Sequence, residues 1–512
     1  METKKRTKEE IQNQIWEICN SLRGQMDSSD FKNYILGVIF FKYLSDQFEE
    51  YLKNEVDGED IFKVWYDEKY GEELINESLN DKGYYIEPKH LFSTIIKEIK
   101  EGNSDFINNI QHGMNDVSRY ADKYKDSDDF VGLFADFDLS NNKLGVTQTE
   151  KNNLISEIFL KIDDILYDIN DSDLLGDVYE YLLGKFASDA GKKGGEFYTP
   201  HEVSQLVASL TTLDNKKAKT VYDPTCGSGS LLIKAANGVK DAEKICGQEK
   251  NVTTYNLARM NMLLHGFHFR QFNIQVGDTL DNDKFNNEKF DIIVANPPFG
   301  TKWNHENKED DPRFKGPGKL PPEGQGEFAF IEHMIYHLAD DGIMATVAPL
   351  GLLFRGKREK VIREYLIEKL DCLDAVIGLP SNLFANTPIP ACILVFKKSR
   401  KNKDILFIDA SREFEKVKSK NKLTKENIDK IFNTYKNREE IDKYSRNISI
   451  DEIKENDYNL NIPRYIDTFE EEEPIDIEEV NKQLKELKAK IKEKEEKLEE
   501  LIKELAEVDN VK

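Results

Sequence analysis

The sequence predicts an α/β fold: a largely parallel sheet with helices on both faces, preceded by an all-helical segment and followed by a coiled-coil helix. Three observations carry that expectation. Short β-branched runs alternate with helix-length segments through the middle of the chain, the stretch before them has helical periodicity without strand alternation, and the C-terminal stretch repeats apolar residues in steps of three and four.

In the first segment, "DFKNYILGVIFFKYLSDQF" places Phe31, Tyr34, Ile35 and Val38 on one helix face, and Ile39, Phe41 and Leu44 widen that face into a mostly buried helix. "EKNNLISEIFLKIDDIL" and "SDLLGDVYEYLLGKFA" continue the pattern, so residues 1–185 read as a helical N-terminal domain, a structural or partner-docking module. After "GKKGGEFYTP" the texture changes. Strands are expected at "TVYD", "KICGQE", "NIQVGD", "FDIIVANPP", "GIMATVAP", "LDAVIGLP" and "ACILVFKK", which makes residues 186–470 the α/β domain. From Ile477 the seam runs through Val480, Leu484, Leu487, Ile491, Leu498, Leu501, Leu505 and Val508, with Lys494 in a missing place. Residues 471–512 are therefore a coiled-coil helix that packs on a second copy or on a different subunit.

Composition narrows the function. A net charge of -24 over 512 residues disfavours unspecific adhesion to nucleic acid or anionic membrane, so any nucleic-acid contact is local or lent by a partner. Cys19, Cys226, Cys246, Cys372 and Cys392 are scattered, without the spacing of a disulfide framework or a zinc site. The N-terminus lacks a signal-peptide core and no later run is long enough to span a bilayer. A cytoplasmic protein with no membrane partner is expected.

In such sheets ligands bind at the carboxyl ends of the strands, and Asp223, Glu249, Asp278 and Asn296 all fall there. In "VYDPTCGSGSLL" a strand runs into Asp223, then Gly227 and Gly229 allow a tight turn and close ligand approach before a helix begins. The G-x-G-x-x-G spacing of a dinucleotide loop is missing. Glu249, about 20 residues on, suits the ribose hydroxyls of a nucleoside-type cofactor, and Asp278 suits an adenine amino group or serves as a helix cap.

"ANPPFG" is the most unusual element. Pro297 and Pro298 fix φ and donate no N–H, which stiffens the segment and leaves its carbonyls without local partners. A primary amino group on an aromatic base is a poor nucleophile, and acceptors aimed at its hydrogens help it become tetrahedral. The Asn296 side-chain oxygen and the Pro297 carbonyl supply such acceptors, and Phe299 offers a face for a flipped base. Such chemistry needs no metal and no covalent cysteine. His265, His268 and His305 read as surface or packing residues.

Together these motifs resemble the S-adenosylmethionine-dependent amino-methyltransferases, specifically the DNA adenine methyltransferase subunit of type I restriction-modification systems. "EFYTP" resembles that family's cofactor motif, "DPTCGSGS" its methionine-binding loop and "ANPPFG" its amino-methylation motif, in the family's order. The resemblance implies a Rossmann-like sheet and a site in which Glu196, Phe197, Tyr198, Thr199 and Pro200 border the methionine end of the cofactor. It places Ser228, Gly229 and Ser230 at the carboxylate or sulfur region, with Asp223 and Gly227 in the same cofactor-binding loop, Glu249 at the ribose, Asp278 at the adenine, and Asn296, Pro297, Pro298 and Phe299 around the target adenine. Phe328 or Phe330 would line the base pocket, and the loop with Lys302, Arg313, Lys315 and Lys319 would close over base and phosphates. The implied partners are double-stranded DNA, a separate DNA-specificity subunit with two copies of this chain to one of it, and a restriction subunit. Two other readings stand beside this one: a stand-alone amino-methyltransferase for RNA or protein, and a catalytically silent assembly scaffold.

Overall fold

The computed structural model describes residues 6–22, 28–67, 69–119, 130–167, 172–189, 198–213, 218–384, 389–417, 420–467 and 477–509. Residues 1–466 form one compact unit and 467–512 another.

The described residues as far as 213 form helices and turns: α1 (Lys8–Leu22), α2 (Ser28–Glu55), α3 (Ile61–Trp65), α4 (Gly71–Lys82), α5 (Phe92–Glu101), α6 (Phe106–Arg119), α7 (Gln148–Ile165), α8 (Ser172–Asp189) and α9 (His201–Thr212). α2 is the buried helix its periodicity predicts, with Phe31, Ile35, Val38, Ile39, Phe41 and Leu44 all inside. A capping box starts α7, where Thr147 and Glu150 satisfy each other's backbone N–H groups.

The second part alternates strands and helices: β1 (Thr220–Asp223), α10 (Ser230–Asn237), β2 (Lys244–Glu249), α11 (Val252–Leu264), β3 (Phe272–Val276), β4 (Phe290–Ala295), α12 (Glu327–His337), β5 (Leu338–Pro349), α13 (Arg358–Glu364), β6 (Leu373–Gly378), β7 (Ala391–Lys397) and β8 (Ile405–Asp409). A small hairpin of β9 (Glu415–Val417) and β10 (Lys420–Lys422) follows, then α14 (Lys425–Asn437), β11 (Ser445–Ile448) and α15 (Ile450–Glu455). The main sheet runs β11-β8-β6-β7-β5-β4-β1-β2-β3. Pairs from β3 to β5 are parallel, as is β6 with β8. β7 lies antiparallel between β5 and β6, and β11 antiparallel on β8.

Alternate residues of the strands face two cores. Val221 and Ile292 join the core shared with the N-terminal helices, whereas Tyr222 and Ile293 join a second core that includes Phe328 and Met344. Burial on both faces explains why these strands read as nearly continuous apolar runs. Strand order reverses at β1, flanked by β2 on one side and β4 on the other, so the carboxyl ends of β1 and β4 open the switch-point crevice where ligands bind in such sheets.

Several expectations shift in detail. β3 stops at Val276 and β4 at Ala295, which leaves Asp278 and Asn296 in the loops just beyond, and β8 and β11 extend the sheet past the strands read from sequence. The second unit contains α16 (Ile477–Asp509), whose seam residues Leu484, Leu487, Ile491 and Leu498 are exposed. Among the described residues no helix is long and apolar enough to cross a membrane.

Gly247 in β2 sits against the loop that follows β1. A Cβ there would lie 2.9 Å from Ile274 Cδ1 and 3.0 Å from Cys226 Sγ. Gly247→Ala is therefore expected to cost about 1–3 kcal/mol through overpacking, read from the midpoint and slope of urea unfolding.

Candidate functional site

β1 ends on Asp223, and the chain turns through Gly227 (φ +55°) and Gly229 (φ +82°) into α10. Both glycines occupy the left-handed region that side chains disfavour. The loop is held from the end of β2: Cys226 N–H donates to the Gln248 carbonyl at 3.0 Å, and Gly227 N–H donates to Glu249 Oε2 at 3.0 Å. The other oxygen of Glu249 accepts from Asn251 N–H at 2.7 Å. From α11, Asn261 Nδ2 donates to the Ser228 carbonyl at 3.0 Å.

Tyr198, Thr199, Asp223, Gly227, Ser228, Ser230 and Asn296, separated by up to a hundred residues in sequence, line one small cleft together with Thr225, Cys226 and Leu231. Pro200 stands at the start of α9, and Gly229 starts α10. Glu249 reaches the cleft through Gly227. Asp278 lies beside the end of β2, where Gly277 N–H donates to the Glu249 carbonyl at 2.9 Å. Its own oxygens are engaged, Oδ1 by Leu280 N–H at 3.1 Å and Oδ2 by Lys250 Nζ at 2.7 Å, so it caps the turn after β3 as well. Glu196 and Phe197 lie outside the described residues.

At the end of β4, Asn296 Nδ2 donates to Thr199 Oγ1 at 3.0 Å. That bond uses one of the two amide hydrogens and, with the nitrogen turned toward Thr199, leaves Oδ1 as an acceptor. Pro297 is buried, Pro298 and Phe299 half-buried, and Phe299 meets Phe384 edge-on with ring centroids 6.3 Å apart. Thr301 Oγ1 donates back to the Pro298 carbonyl at 3.2 Å, closing the turn.

Two expectations are corrected here. Phe328 and Phe330 are buried in the second core, because α12 is enclosed on nearly every side. Arg313 points inward: its guanidinium donates to the carbonyls of Thr279 and Leu280 at 3.0 Å each, to Asp311, and to His333 Nδ1 at 3.2 Å. It pins its loop to the segment after β3, whereas Lys302, Lys315 and Lys319 are exposed. Sequence reasoning also missed Asn261, a polar residue buried in mid-helix, for which helical periodicity gave no signal.

The cleft is electrostatically unusual. Burial drives the Asp223 carboxyl up to about 8, against two hydrogen bonds from Thr225 that favour its ionised form, and the neighbouring Glu249 adds to the rise. Burial also raises Glu249, opposed by the backbone N–H groups it accepts. Each carboxyl keeps lone pairs for a further cationic or hydrogen-donating partner. A turn of two left-handed glycines into an exposed helix start supplies N–H donors for a carboxylate, Asp223 and the hydroxyls of Ser228 and Ser230 suit an ammonium group, and Glu249 suits a pair of hydroxyls. That donor set fits S-adenosylmethionine.

A doubly wound sheet with such a loop at its switch point and an amide-diproline turn beside it defines an S-adenosylmethionine-dependent methyltransferase. A family model described as N-6 DNA Methylase matches residues 170–474, and one described as HsdM N-terminal domain matches residues 11–162. The chain is 35% identical to the type I restriction enzyme MpnII methylase subunit of Mycoplasma pneumoniae, over 99% of both chains. It is 34% identical to the MjaVII methylase subunit of Methanocaldococcus jannaschii, covering 76% of this chain and 68% of that one. The crystal structure of a type I restriction-modification methyltransferase subunit from Streptococcus thermophilus superposes with a TM-score of 0.84 at 39% identity, covering 90% of this chain and all of that one. This chain belongs to the N-6 DNA methylase family, as a methylase subunit of the type I restriction-modification class, and is an adenine-specific DNA methyltransferase that uses S-adenosylmethionine.

The raised Asp223 carboxyl has a consequence for stability. Its folded value of about 8 lies above the ordinary 3.8, so its contribution is fully present below about pH 4 and is lost as pH rises through 8. In the absence of cofactor, the Tm of the wild type is expected to fall between pH 6 and 9 by more than that of Asp223→Asn, measured by calorimetry across that range.

Proposed function

We propose that this chain transfers a methyl group to the 6-amino group of an adenine turned out of the duplex and laid against Phe299, as the modification subunit of a type I complex in the cytoplasm. The observation that carries the assignment of roles is the Asn296–Thr199 hydrogen bond, which joins the cofactor-side motif to the amino-methylation turn and orients the amide. Asn296 Oδ1 and the Pro297 carbonyl accept the two amino hydrogens, so that nitrogen lone-pair density turns toward the incoming carbon. The proton leaves after the nitrogen has become cationic, and no strong base is required.

S-adenosylmethionine, when bound, supplies an electrophilic methyl on a sulfonium. Tyr198, Thr199 and Pro200, with Glu196 and Phe197 before them, border its methionine end. Asp223 and the loop of Gly227, Ser228, Gly229 and Ser230 take its charged amino-acid groups, Glu249 its ribose hydroxyls and Asp278 its adenine. Burial of Asp223 strengthens its contact with the ammonium group over what water would allow.

The chain divides by role into a helical domain (1–185), a catalytic domain (186–470) and an association helix (471–512). The exposed leucines and isoleucine of α16 support a helix that docks on a partner. Relatives named as methylase subunits of type I restriction enzymes support membership of a multi-subunit complex; in this reading its other members are a DNA-specificity subunit shared by two copies of this chain and a restriction subunit. The net charge of -24 supports a division of labour in which the partner reads the DNA sequence.

Methyl transfer from labelled S-adenosylmethionine to mixed-sequence duplex DNA tests this assignment. Label is expected in adenine only when the co-expressed specificity subunit is present, and Asn296→Ala is expected to lower it by more than about 100-fold while cofactor affinity stays near that of the wild type. Label in DNA without a partner would assign sequence reading to this chain, and label in RNA or protein alone would overturn the proposal. Separately, Glu249→Gln is expected to weaken cofactor binding about tenfold or more, in line with a lost charged hydrogen bond, measured by titration calorimetry.

A further inference from the structure

We propose that Glu327 is a positioning residue for methyl transfer, a buried carboxylate that clasps the far end of the amino-methylation turn. The near end of that turn is fixed by the diproline and by the Asn296–Thr199 bond. The far end passes through Gly300, whose φ of +64° and open surroundings give it no steric restraint of its own. Glu327, at the first position of α12, supplies the restraint: its Oε1 accepts from Gly300 N–H at 3.1 Å and from Arg355 Nη2 at 3.4 Å. Gly326 N–H donates to the Thr301 carbonyl at 2.9 Å, so two successive residues hold two successive residues of the turn.

The group is costly to keep there. Glu327 is 4% exposed, and its second oxygen, Oε2, is buried with no hydrogen-bond partner. Arg355 offsets the charge and is itself shared with Glu359 at 3.2 Å, whose carboxyl burial lifts to about 7. A buried, half-satisfied carboxylate at a helix start is hard to account for by packing, whereas it follows if the turn must hold its acceptors still while a base is seated. α12 then acts through Gly300 on Phe299 and, along the stiff diproline, on the Pro297 carbonyl, without touching the reacting atoms.

This inference rests on the proposed role of the turn, and the test separates the two. The full chain, co-expressed with its specificity subunit, is compared with Glu327→Met, which fills the space without an acceptor, and Glu327→Gln, which keeps one for Gly300. Rates are normalised to cofactor-binding sites titrated in the same preparation, so misfolded protein does not count. Glu327→Met is expected to lower kcat by about tenfold or more at saturating cofactor and DNA, with the Kd for S-adenosylmethionine within about twofold, and Glu327→Gln is expected to recover most of the loss. Should Glu327→Met fail to fold, the double variant Glu327→Met/Arg355→Met removes both charges and is expected to show the same slow kcat. A kcat for either methionine variant within twofold of the wild type, or Glu327→Gln as slow as Glu327→Met, would overturn the inference alone. A wild-type complex that methylates no adenine would overturn it together with the functional proposal.

Discussion

The hydrogen bond from Asn296 to Thr199 is the contact on which the rest of the site depends. It crosses from the carboxyl end of β4 to Thr199, just ahead of α9, and so joins two motifs that the chain keeps nearly a hundred residues apart. An amide free to rotate would present a donor as often as an acceptor to an incoming amino group. With its nitrogen engaged, Asn296 presents oxygen, and the diproline that follows keeps the backbone carbonyl in a fixed relation to it.

The sheet makes that contact reproducible. β1 and β4 are adjacent and parallel, with Val221 opposite Ile292 and Tyr222 opposite Ile293, so Asp223 and Asn296 emerge from the same edge at a set separation. Tyr222 is locked below them, its hydroxyl within 3.0 Å of His333 Nε2 and its ring stacked 4.5 Å from that of Phe290. Above, the glycine loop hangs from the end of β2 by Cys226 and Gly227. Two carboxyls are buried at this crevice at a cost in stability, and the cost is recovered only when a cation and hydroxyl groups arrive. Stability and cofactor affinity are thus opposed at Asp223, a trade that active sites commonly make.

Much of this was legible in the sequence because it depends on local rules. The buried strands showed as apolar runs, the glycine turn as Gly227 and Gly229, and the stiff turn as Pro297 and Pro298; each of these follows from backbone sterics or from burial on two faces. The antiparallel insertion of β7 between β5 and β6 was not legible, since pairing partners distant in sequence leave no periodic trace. Nor was the inward turn of Arg313, which sits in a polar loop and reads as a surface cation until the carbonyls of Thr279 and Leu280 are seen to receive it. Glu327 was hidden for a similar reason: an acidic residue in the first turn of a helix is ordinarily explained by the helix dipole, and only its burial sets it apart.

Whether the Thr199 hydroxyl orients the Asn296 amide is read from the kinetics of Thr199→Val in the complex with its specificity subunit. Thr199 lies in the motif on the cofactor side, so a residue that served only cofactor binding would show a raised Kd for S-adenosylmethionine and an unchanged kcat at saturation. The reverse is expected: a kcat lowered by about tenfold or more, with the Kd for S-adenosylmethionine within about twofold of the wild type, because the lost hydroxyl frees the Asn296 amide. An unchanged kcat would contradict that orienting role.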